Sequence, residues 1–289
     1  MCRLLLVLAD GHWFSDELLK GVNKMVASWK KATEYDSNFF NFEGESKHDD
    51  GFGLYRYYLT KNDKNYFSLT KNSEPAFLEN QKLEINRSEI KNFILLNHAR
   101  KASKSMPISI NQNHPFVNES GNRILAHNGT LKKKILLEFI KHKPDSIENV
   151  SDTQLLFTLL QETFGVVEKS DSQEILKRWK RLISSIRDRH KILNEPYSMN
   201  LIFLLKTQNN RSFKLLYSTM YSNPLGENYF KLYSGIFENM RILCSSTVYD
   251  YLKIDYPDFF DQGVFNILPN DAMGLIDQEP TVKSEQLLN

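Results

Sequence analysis

The feature that most constrains this chain is the apolar run from Cys2 to Ala9, which begins directly after the initiator methionine. The run is short and ends at Asp10-Gly11, a pair typical of turns. A short run without alternation favours a strand buried on both faces over a helix. The sequence therefore predicts that the chain opens with a buried strand.

Helical spacing begins at Ser15. Ser15 followed by Asp16 and Glu17 is typical of an N-cap and an acidic first turn. Apolar residues then recur every three or four positions, at Leu18, Leu19, Val22, Met25, Val26 and Trp29. The same spacing predicts helices over 152–164 and 172–190, whereas 34–50 is polar and non-periodic and predicts a loop.

Strand-like segments outnumber the helices. Those after the first lie at 54–59, 66–70, 93–97, 123–127, 199–206, 213–217, 230–233, 241–244 and 264–268. Many antiparallel strands with a few helices indicate an α+β fold rather than a doubly wound βαβ sheet. With no repeat or Gly/Pro/Ser-rich linker, we expect one domain over 1–276 and a polar tail over 277–289.

Charge and apolar content narrow the classes of partner. The 37 basic and 35 acidic residues give a formal net charge of +2, which argues against nucleic acid as a partner. No apolar run approaches the roughly 20 residues that span a bilayer, and the first run is too short for a signal peptide. With two cysteines, Cys2 and Cys244, we expect a cytoplasmic chain without disulfides or membrane contact.

Cys2 carries the first chemical signal. Because the side chain after Met1 is small, the methionine is expected to be removed, which would leave a thiol and a free α-amino group on one residue. An α-amine has a pKa near ~8, so it can take the thiol proton and pass it to a leaving group. The alternative is a cysteine that happens to begin a buried strand.

A second group of polar residues follows the strand predicted to end at Asn97. The planar guanidinium of Arg100, with Ser103 after it, suits a substrate carboxylate, although a surface salt bridge is the alternative for Arg100. His114 precedes Pro115, where the backbone is held extended, and a lone histidine there is more often structural than catalytic.

A third group follows the predicted strand 123–127. The side-chain amide of Asn128 and the N–H of Gly129 could both donate to one oxygen and form an oxyanion hole. An ordinary Asn-Gly turn is the alternative. Asp152 follows Ser151, and it either holds an ammonium group or shares in capping the next helix.

In order and approximate spacing, these segments resemble the class-II glutamine amidotransferases, which are N-terminal nucleophile hydrolases. The segments are Cys2-Arg-Leu-Leu5, Asp50-Gly-Phe-Gly53, His98-Ala-Arg100, Asn113-His-Pro-Phe116, His127-Asn-Gly129 and Ser151-Asp-Thr153. The likeness is greatest to small stand-alone members that act on γ-glutamyl compounds. It implies a four-layer αββα sandwich of two antiparallel sheets.

The resemblance also implies roles. Cys2 would attack the γ-amide of glutamine or of a γ-glutamyl compound, with its own α-amine as base, to form a thioester and release ammonia or an amine. Asn128 and Gly129 would form the oxyanion hole. Arg100 would bind the substrate α-carboxylate with Ser103 beside it, Asp152 would bind the α-ammonium, and His114 would support the loop below the substrate.

Several points stay open at this level. Lys104 and Gln112 differ from residues common in relatives, which leaves the substrate contacts of that loop undecided. Ammonia would pass to a partner subunit, or the reaction would be simple hydrolysis. No cofactor is implied, and the histidines and cysteines lack metal-binding spacing. A non-catalytic protein that binds an amino acid on the same fold is the alternative function.

Overall fold

The computed structural model describes residues 2–9, 15–79, 90–102, 108–165, 171–206, 213–258 and 264–277. The strands in these ranges are β1 (Cys2–Ala9), β2 (Phe52–Thr60), β3 (Asn65–Asn72), β4 (Ile90–Arg100), β5 (Phe116–Val117), β6 (Arg123–Thr130), β7 (Ser198–Lys206), β8 (Phe213–Thr219), β9 (Leu232–Phe237), β10 (Met240–Ser245), β11 (Val264–Leu268) and β12 (Ala272–Asp277). The α-helices are α1 (Asp16–Glu34), α2 (Ser37–Glu43), α3 (Lys133–Phe139), α4 (Asp152–Phe164), α5 (Ser172–Ile192), α6 (Glu227–Phe230) and α7 (Ser246–Asp255).

The chain divides into two compact units. The first unit comprises Met1–Pro115 and Leu225–Pro269, and the second comprises Phe116–Pro224 and Asn270–Asn289. The first contains a seven-stranded sheet in the order β11-β9-β10-β1-β4-β2-β3, and the second a five-stranded sheet in the order β12-β8-β7-β6-β5.

All strand pairs described in the two sheets are antiparallel. Helices α1, α2, α6 and α7 belong to the first unit, and α3, α4 and α5 to the second. The predicted α+β class with two antiparallel sheets is confirmed. Each unit supplies one sheet and its helices, which are the parts of an αββα sandwich.

The predicted first strand is confirmed as β1, an interior strand of the first sheet. It pairs with β4 on one side and β10 on the other, and every residue from Cys2 to Ala9 is buried. Leu5 and Val7 share a core cluster with Val22 and Met25 of α1. Because side chains alternate across a strand, Cys2 lies on the opposite face of β1 from this cluster.

Helix α1 begins where the sequence predicts. The Ser15 hydroxyl accepts a hydrogen bond from the backbone N–H of Leu18 at 3.0 Å, which caps the helix. Its apolar stripe is buried, and the indole N–H of Trp29 donates to the carbonyl oxygen of Arg3 at 3.2 Å. This bond ties α1 to the residue that follows Cys2.

The other strand predictions are largely confirmed, with longer strands than expected. The hairpin β2–β3 pairs Leu59 with Asn65, and the strand predicted over 93–97 extends as β4 from Ile90 to Arg100. One segment is corrected at its start, because Phe230 ends α6 and the strand begins only at Leu232.

The prediction of a loop over 34–50 is wrong in its first half, where α2 forms. The Asp36 carboxylate accepts from the backbone N–H of Phe39 at 2.9 Å, and Gly44 ends the helix in a left-handed conformation with φ 75°. A seven-residue helix that buries mainly Phe39 is too short to leave a helical period in the sequence.

The second unit holds its own core beneath α4 and α5. Helix α4 begins at Asp152 with a capping box, in which Ser151 and Gln154 bond each other's backbone N–H groups. Trp179 of α5 stacks on Phe203 of β7 with 6.1 Å between ring centroids. The helices predicted over 152–164 and 172–190 are confirmed, and the second runs on to Ile192.

Strand β12 ends at Asp277, where the predicted polar tail begins, and residues 278–289 lie outside the described residues. Among the helices described, none is long and apolar enough to cross a membrane.

Candidate active site

Cys2 is the first residue of β1 and lies opposite Arg100, the last residue of β4. Cys2 has 6% of its surface exposed and Arg100 has 7%. The Tyr229 hydroxyl donates to the Cys2 carbonyl oxygen at 3.4 Å. The strand register therefore places Cys2 and Arg100 side by side at one end of two neighbouring interior strands.

The thiol of Cys2 is strongly acidic for a buried cysteine. Burial alone would raise its pKa. The pKa is nevertheless lowered to about 6 by electrostatic interaction with His98 and with the chain's amino terminus, and by hydrogen bonds with His98 and with the backbone of Lys101. Burial raises the pKa of Cys244, which is equally enclosed. Only the cysteine at the amino terminus is thus set up as a thiolate near neutral pH.

His98 connects Cys2 to His114. Nε2 of His98 and Nδ1 of His114 lie 2.8 Å apart, and the two ring centroids are separated by 4.2 Å. Gly53 makes room for this arrangement, because a Cβ at that position would collide with the His114 carbonyl oxygen. His114 therefore contacts a histidine that bonds to Cys2, while its expected support of the loop below the substrate stays a prediction.

Asn128 and Gly129 lie within β6, opposite Asn200 and Met199 of β7. The Asn-Gly turn considered as an alternative is therefore wrong, because both residues are part of a strand. A Cβ on Gly129 would collide with the carbonyl oxygen of Ser198, so only glycine allows β7 this close.

His127 anchors the same strand end. Its Nε2 donates to the Ser198 carbonyl oxygen at 3.0 Å, and its Nδ1 then accepts from the Thr153 hydroxyl at 2.9 Å. Since Thr153 belongs to α4, this ring joins the strand that carries Asn128 to the helix that carries Asp152.

Asp152 is the first residue of α4, and Ser151 is its N-cap. The Asp152 carboxylate accepts from the backbone N–H of Leu131 at 2.8 Å and from that of Thr153 at 2.8 Å. Of the two capping candidates, Ser151 is the one that caps. Asp152 instead holds the segment that follows β6 and keeps part of its surface exposed.

The site residues predicted from sequence divide between the two units. Cys2, Arg100 and His114 belong to the first, and Asn128, Gly129 and Asp152 to the second. Ser103 and Lys104 lie outside the described residues. Gln112 is buried in a 3-10 turn.

The sequence did not predict a buried charge network that begins at Arg3, next to Cys2. Arg3 forms an ion pair with Asp36, and the Asp36 carboxylate also accepts from Thr247 at 2.6 Å and contacts His48 Nε2 at 2.8 Å. The guanidinium of Arg3 lies 4.2 Å from the ring centroid of Tyr229. The available signal was Arg3 itself, since a charged residue inside a buried apolar run requires a partner.

This network lowers the pKa of both Asp36 and His48, which keeps the carboxylate charged and the imidazole neutral. Burial disfavours the charged Asp36 carboxylate, but the Arg3 charge and the bonds from His48 and Arg3 hold its pKa far below the usual range. Burial and the Arg3 charge lower the pKa of His48 to about 4 despite its bond to Asp36. His48 is therefore neutral at physiological pH.

Across the described ranges, no group of three or more His, Cys, Asp or Glu side chains is close enough to hold a metal ion.

Comparison with known proteins identifies one family. The family model described as "Glutamine amidotransferases class-II" matches residues 25–194, a span that contains Arg100, Asn128 and Asp152 and begins after Cys2. A crystal structure of a predicted glutamine amidotransferase from Pseudomonas aeruginosa PA01 is 11% identical, with 96% of this chain and 90% of that chain covered and a TM-score of 0.37. No curated protein sequence matches this chain.

Proposed function

Because the chain belongs to the class-II glutamine amidotransferases, we propose that it cleaves the γ-amide bond of glutamine or of a γ-glutamyl compound with Cys2 as nucleophile. The observation that carries the proposal is the contrast between the two buried cysteines. The pKa of Cys2 is lowered to about 6, whereas burial raises that of Cys244. A thiolate at neutral pH is what nucleophilic attack on an amide requires.

In the proposed reaction, removal of Met1 frees the α-amine of Cys2. The sulfur attacks the γ-carbonyl carbon, and the carbonyl oxygen becomes an oxyanion that the side-chain amide of Asn128 and the N–H of Gly129 stabilise. When the C–N bond breaks, the α-amine passes a proton to the departing ammonia or amine. Water then attacks the thioester, which releases the γ-carboxylate and restores the thiol.

Recognition of the glutamyl group is assigned to two opposite charges. Arg100 would bind the α-carboxylate through its planar fork, with Ser103 beside it, and Asp152 would bind the α-ammonium. His114 would support the loop below the substrate. Transfer of ammonia to a partner subunit and a cytoplasmic location stay predictions from the sequence.

The test is the intact mass of the purified protein before and after incubation with a diazo-ketone analogue of glutamine. A thiolate that attacks this reagent forms a thioether and expels N₂. Loss of Met1 with one adduct, mapped by peptide mass spectrometry to Cys2 and absent in Cys2→Ala, supports the proposal. Retained Met1 without an adduct would instead favour an amino-acid-binding protein on the same fold. A trimmed chain that forms no adduct would point to a γ-glutamyl substrate other than free glutamine.

A further inference from the structure

The segment Asp50-Gly51-Phe52-Gly53 has no part in the reaction outlined above, yet it lies against the end of β4 that faces Cys2. The backbone N–H of Asp50 donates to the carbonyl oxygen of Arg100 at 3.2 Å, and the N–H of Arg100 donates to Gly51 at 2.8 Å. These two bonds hold the backbone of the residue opposite Cys2 in the strand register.

The Asp50 carboxylate reaches further along the same chain. Its Oδ2 accepts from the backbone N–H of Ala102 at 2.7 Å. Asp50 thus binds the main chain at Arg100 with its backbone and at Ala102 with its side chain. Lys101 stands between these two fixed residues.

The side chain of Lys101 is held by the same loop. Its ammonium lies 3.0 Å from Asp49, 3.1 Å from Glu45 and 4.0 Å from Asp50. Asp49 accepts a hydrogen bond from this ammonium, whereas Asp50 accepts one from the backbone N–H of Ala102. The loop 45–50 therefore restrains Lys101 at both its side chain and its main chain.

Gly51 fixes the loop from the other side. Its φ of 105° lies in the region that favours glycine, and a Cβ would collide with the Asn113 side chain and the Asn72 carbonyl oxygen. The Asn113 amide donates to that same carbonyl at 2.7 Å. Asp50 is therefore attached to a closely packed, well-defined backbone.

Lys101 matters because its backbone N–H donates to the sulfur of Cys2. We propose that Asp50 is a positioning residue for the Cys2 thiolate: its carboxylate holds the Lys101–Ala102 backbone so that the N–H of Lys101 stays directed at the sulfur. This inference rests on the proposed role of Cys2 as nucleophile. The carboxylate of the Asp50-Gly-Phe-Gly53 segment then acts on Cys2 through the backbone of residues 101 and 102.

An electrostatic role and a positioning role of Asp50 predict opposite changes in the pKa of Cys2 when the carboxylate is removed. Loss of a nearby negative charge, by Coulomb's law alone, favours the thiolate and lowers the pKa of Cys2. Loss of a directed N–H donor disfavours the thiolate and raises that pKa. The sign of the shift therefore distinguishes a positioning role from simple electrostatics.

The experiment measures the rate of Cys2 alkylation by iodoacetamide as a function of pH, followed by peptide mass spectrometry, in the full-length chain. For Asp50→Ala we expect the pH midpoint to rise by about one unit, so that labelling below both midpoints slows about tenfold. Asp49→Ala removes the same charge but leaves the bond to the Ala102 N–H in place, and it is the matched control, with a midpoint unchanged or lower. Asp50→Asn keeps an oxygen acceptor for Ala102 and should behave like the control.

A folded Asp50→Ala variant with an unchanged or lower midpoint would overturn the inference. If that variant does not fold, as judged by circular dichroism, Asp50→Gln tests the same contact, because its acceptor lies one methylene farther out. An unchanged midpoint in Asp50→Gln then overturns the inference, and a raised one supports it. Failure of the proposed function is a separate result, since wild type would then lack the low midpoint and form no adduct with the diazo-ketone.

Discussion

Arg3 and Asp36 form an ion pair in which both side chains are wholly excluded from water. The free energy needed to remove both charges from water offsets much of their mutual attraction. Additional hydrogen bonds to the two side chains therefore decide whether the pair is stable. Arg3 donates to Thr247 at 3.2 Å and to the Tyr229 carbonyl oxygen at 3.3 Å. Since the Tyr229 hydroxyl also donates to the Cys2 carbonyl oxygen, the pair supports the backbone of Cys2.

Removal of Asp36 should be strongly destabilising. Asp36→Ala leaves the buried guanidinium of Arg3 without its counter-charge, and we expect the free energy of unfolding to fall by about 3–5 kcal/mol. Urea denaturation measures this loss. Asp255→Ala is the matched control, because its partner Lys31 is 52% exposed and the loss should stay below about 1 kcal/mol. Similar losses in the two variants would contradict the argument.

The buried His48 should make stability depend on pH. Its pKa is about 4 in the folded chain and about 6.5 when unfolded, so between these values the unfolded state binds more protons. Stability from this residue is therefore complete above pH 6.5 and is lost as the pH falls to 4, by about 3 kcal/mol. Urea denaturation at pH 7, 5 and 4 should show a smaller loss in His48→Gln than in wild type. An identical loss would exclude His48 as its source.

His98 should control the acidity of the Cys2 thiol. His98→Gln removes the electrostatic interaction and the hydrogen bond that lower the pKa of Cys2, so the midpoint of alkylation should rise from about 6 towards the 9 of an ordinary cysteine. Iodoacetamide labelling across a pH series measures it. His190→Gln is the control, because His190 is buried in the second unit, where its Nδ1 bonds the Ile186 carbonyl oxygen. A midpoint that stays near 6 in His98→Gln would refute the assignment.

Local patterns were enough to predict most of the fold. The strand Cys2–Ala9 is recognisable from its apolar run and the Asp10-Gly11 pair that ends it. The helix after Ser15 is recognisable from its apolar spacing and its N-cap. Helix α2 was missed because its single buried face, at Phe39, is stabilised by contacts with His48 and Tyr229 rather than by a repeating stripe.

The candidate site was predictable where residue type limits the chemistry. Cys2, Arg100 and Asn128 could be chosen from side-chain chemistry and resemblance, but their surroundings could not. The partners of Arg3 lie at Asp36 and Thr247, which only the folded chain brings together. The bond between His98 and His114 depends on Gly53, whose importance is a matter of space and not of pattern.

Asn128→Ala should lower kcat with little change in KM. An oxyanion donor acts on charge that develops in the transition state, and its loss costs about 10² to 10³ in rate. Steady-state release of ammonia from glutamine measures it, with circular dichroism to confirm folding. Thr130→Ala is the control from the same strand, since Thr130 is exposed. A rise in KM with unchanged kcat would mean that Asn128 binds the ground state instead.

Arg100 should discriminate substrates by their α-carboxylate. A charge-assisted hydrogen bond contributes about 1.5–3 kcal/mol, so Arg100→Ala should lower kcat/KM for glutamine by about 10- to 100-fold. The α-methyl ester of glutamine has no carboxylate, and its kcat/KM should barely change in the same variant. Arg100→Lys keeps the charge but not the planar fork and should fall between the two, while exposed Arg181→Ala is the surface control. Equal losses for glutamine and its ester would show that Arg100 acts through the structure around Cys2 and not on the substrate.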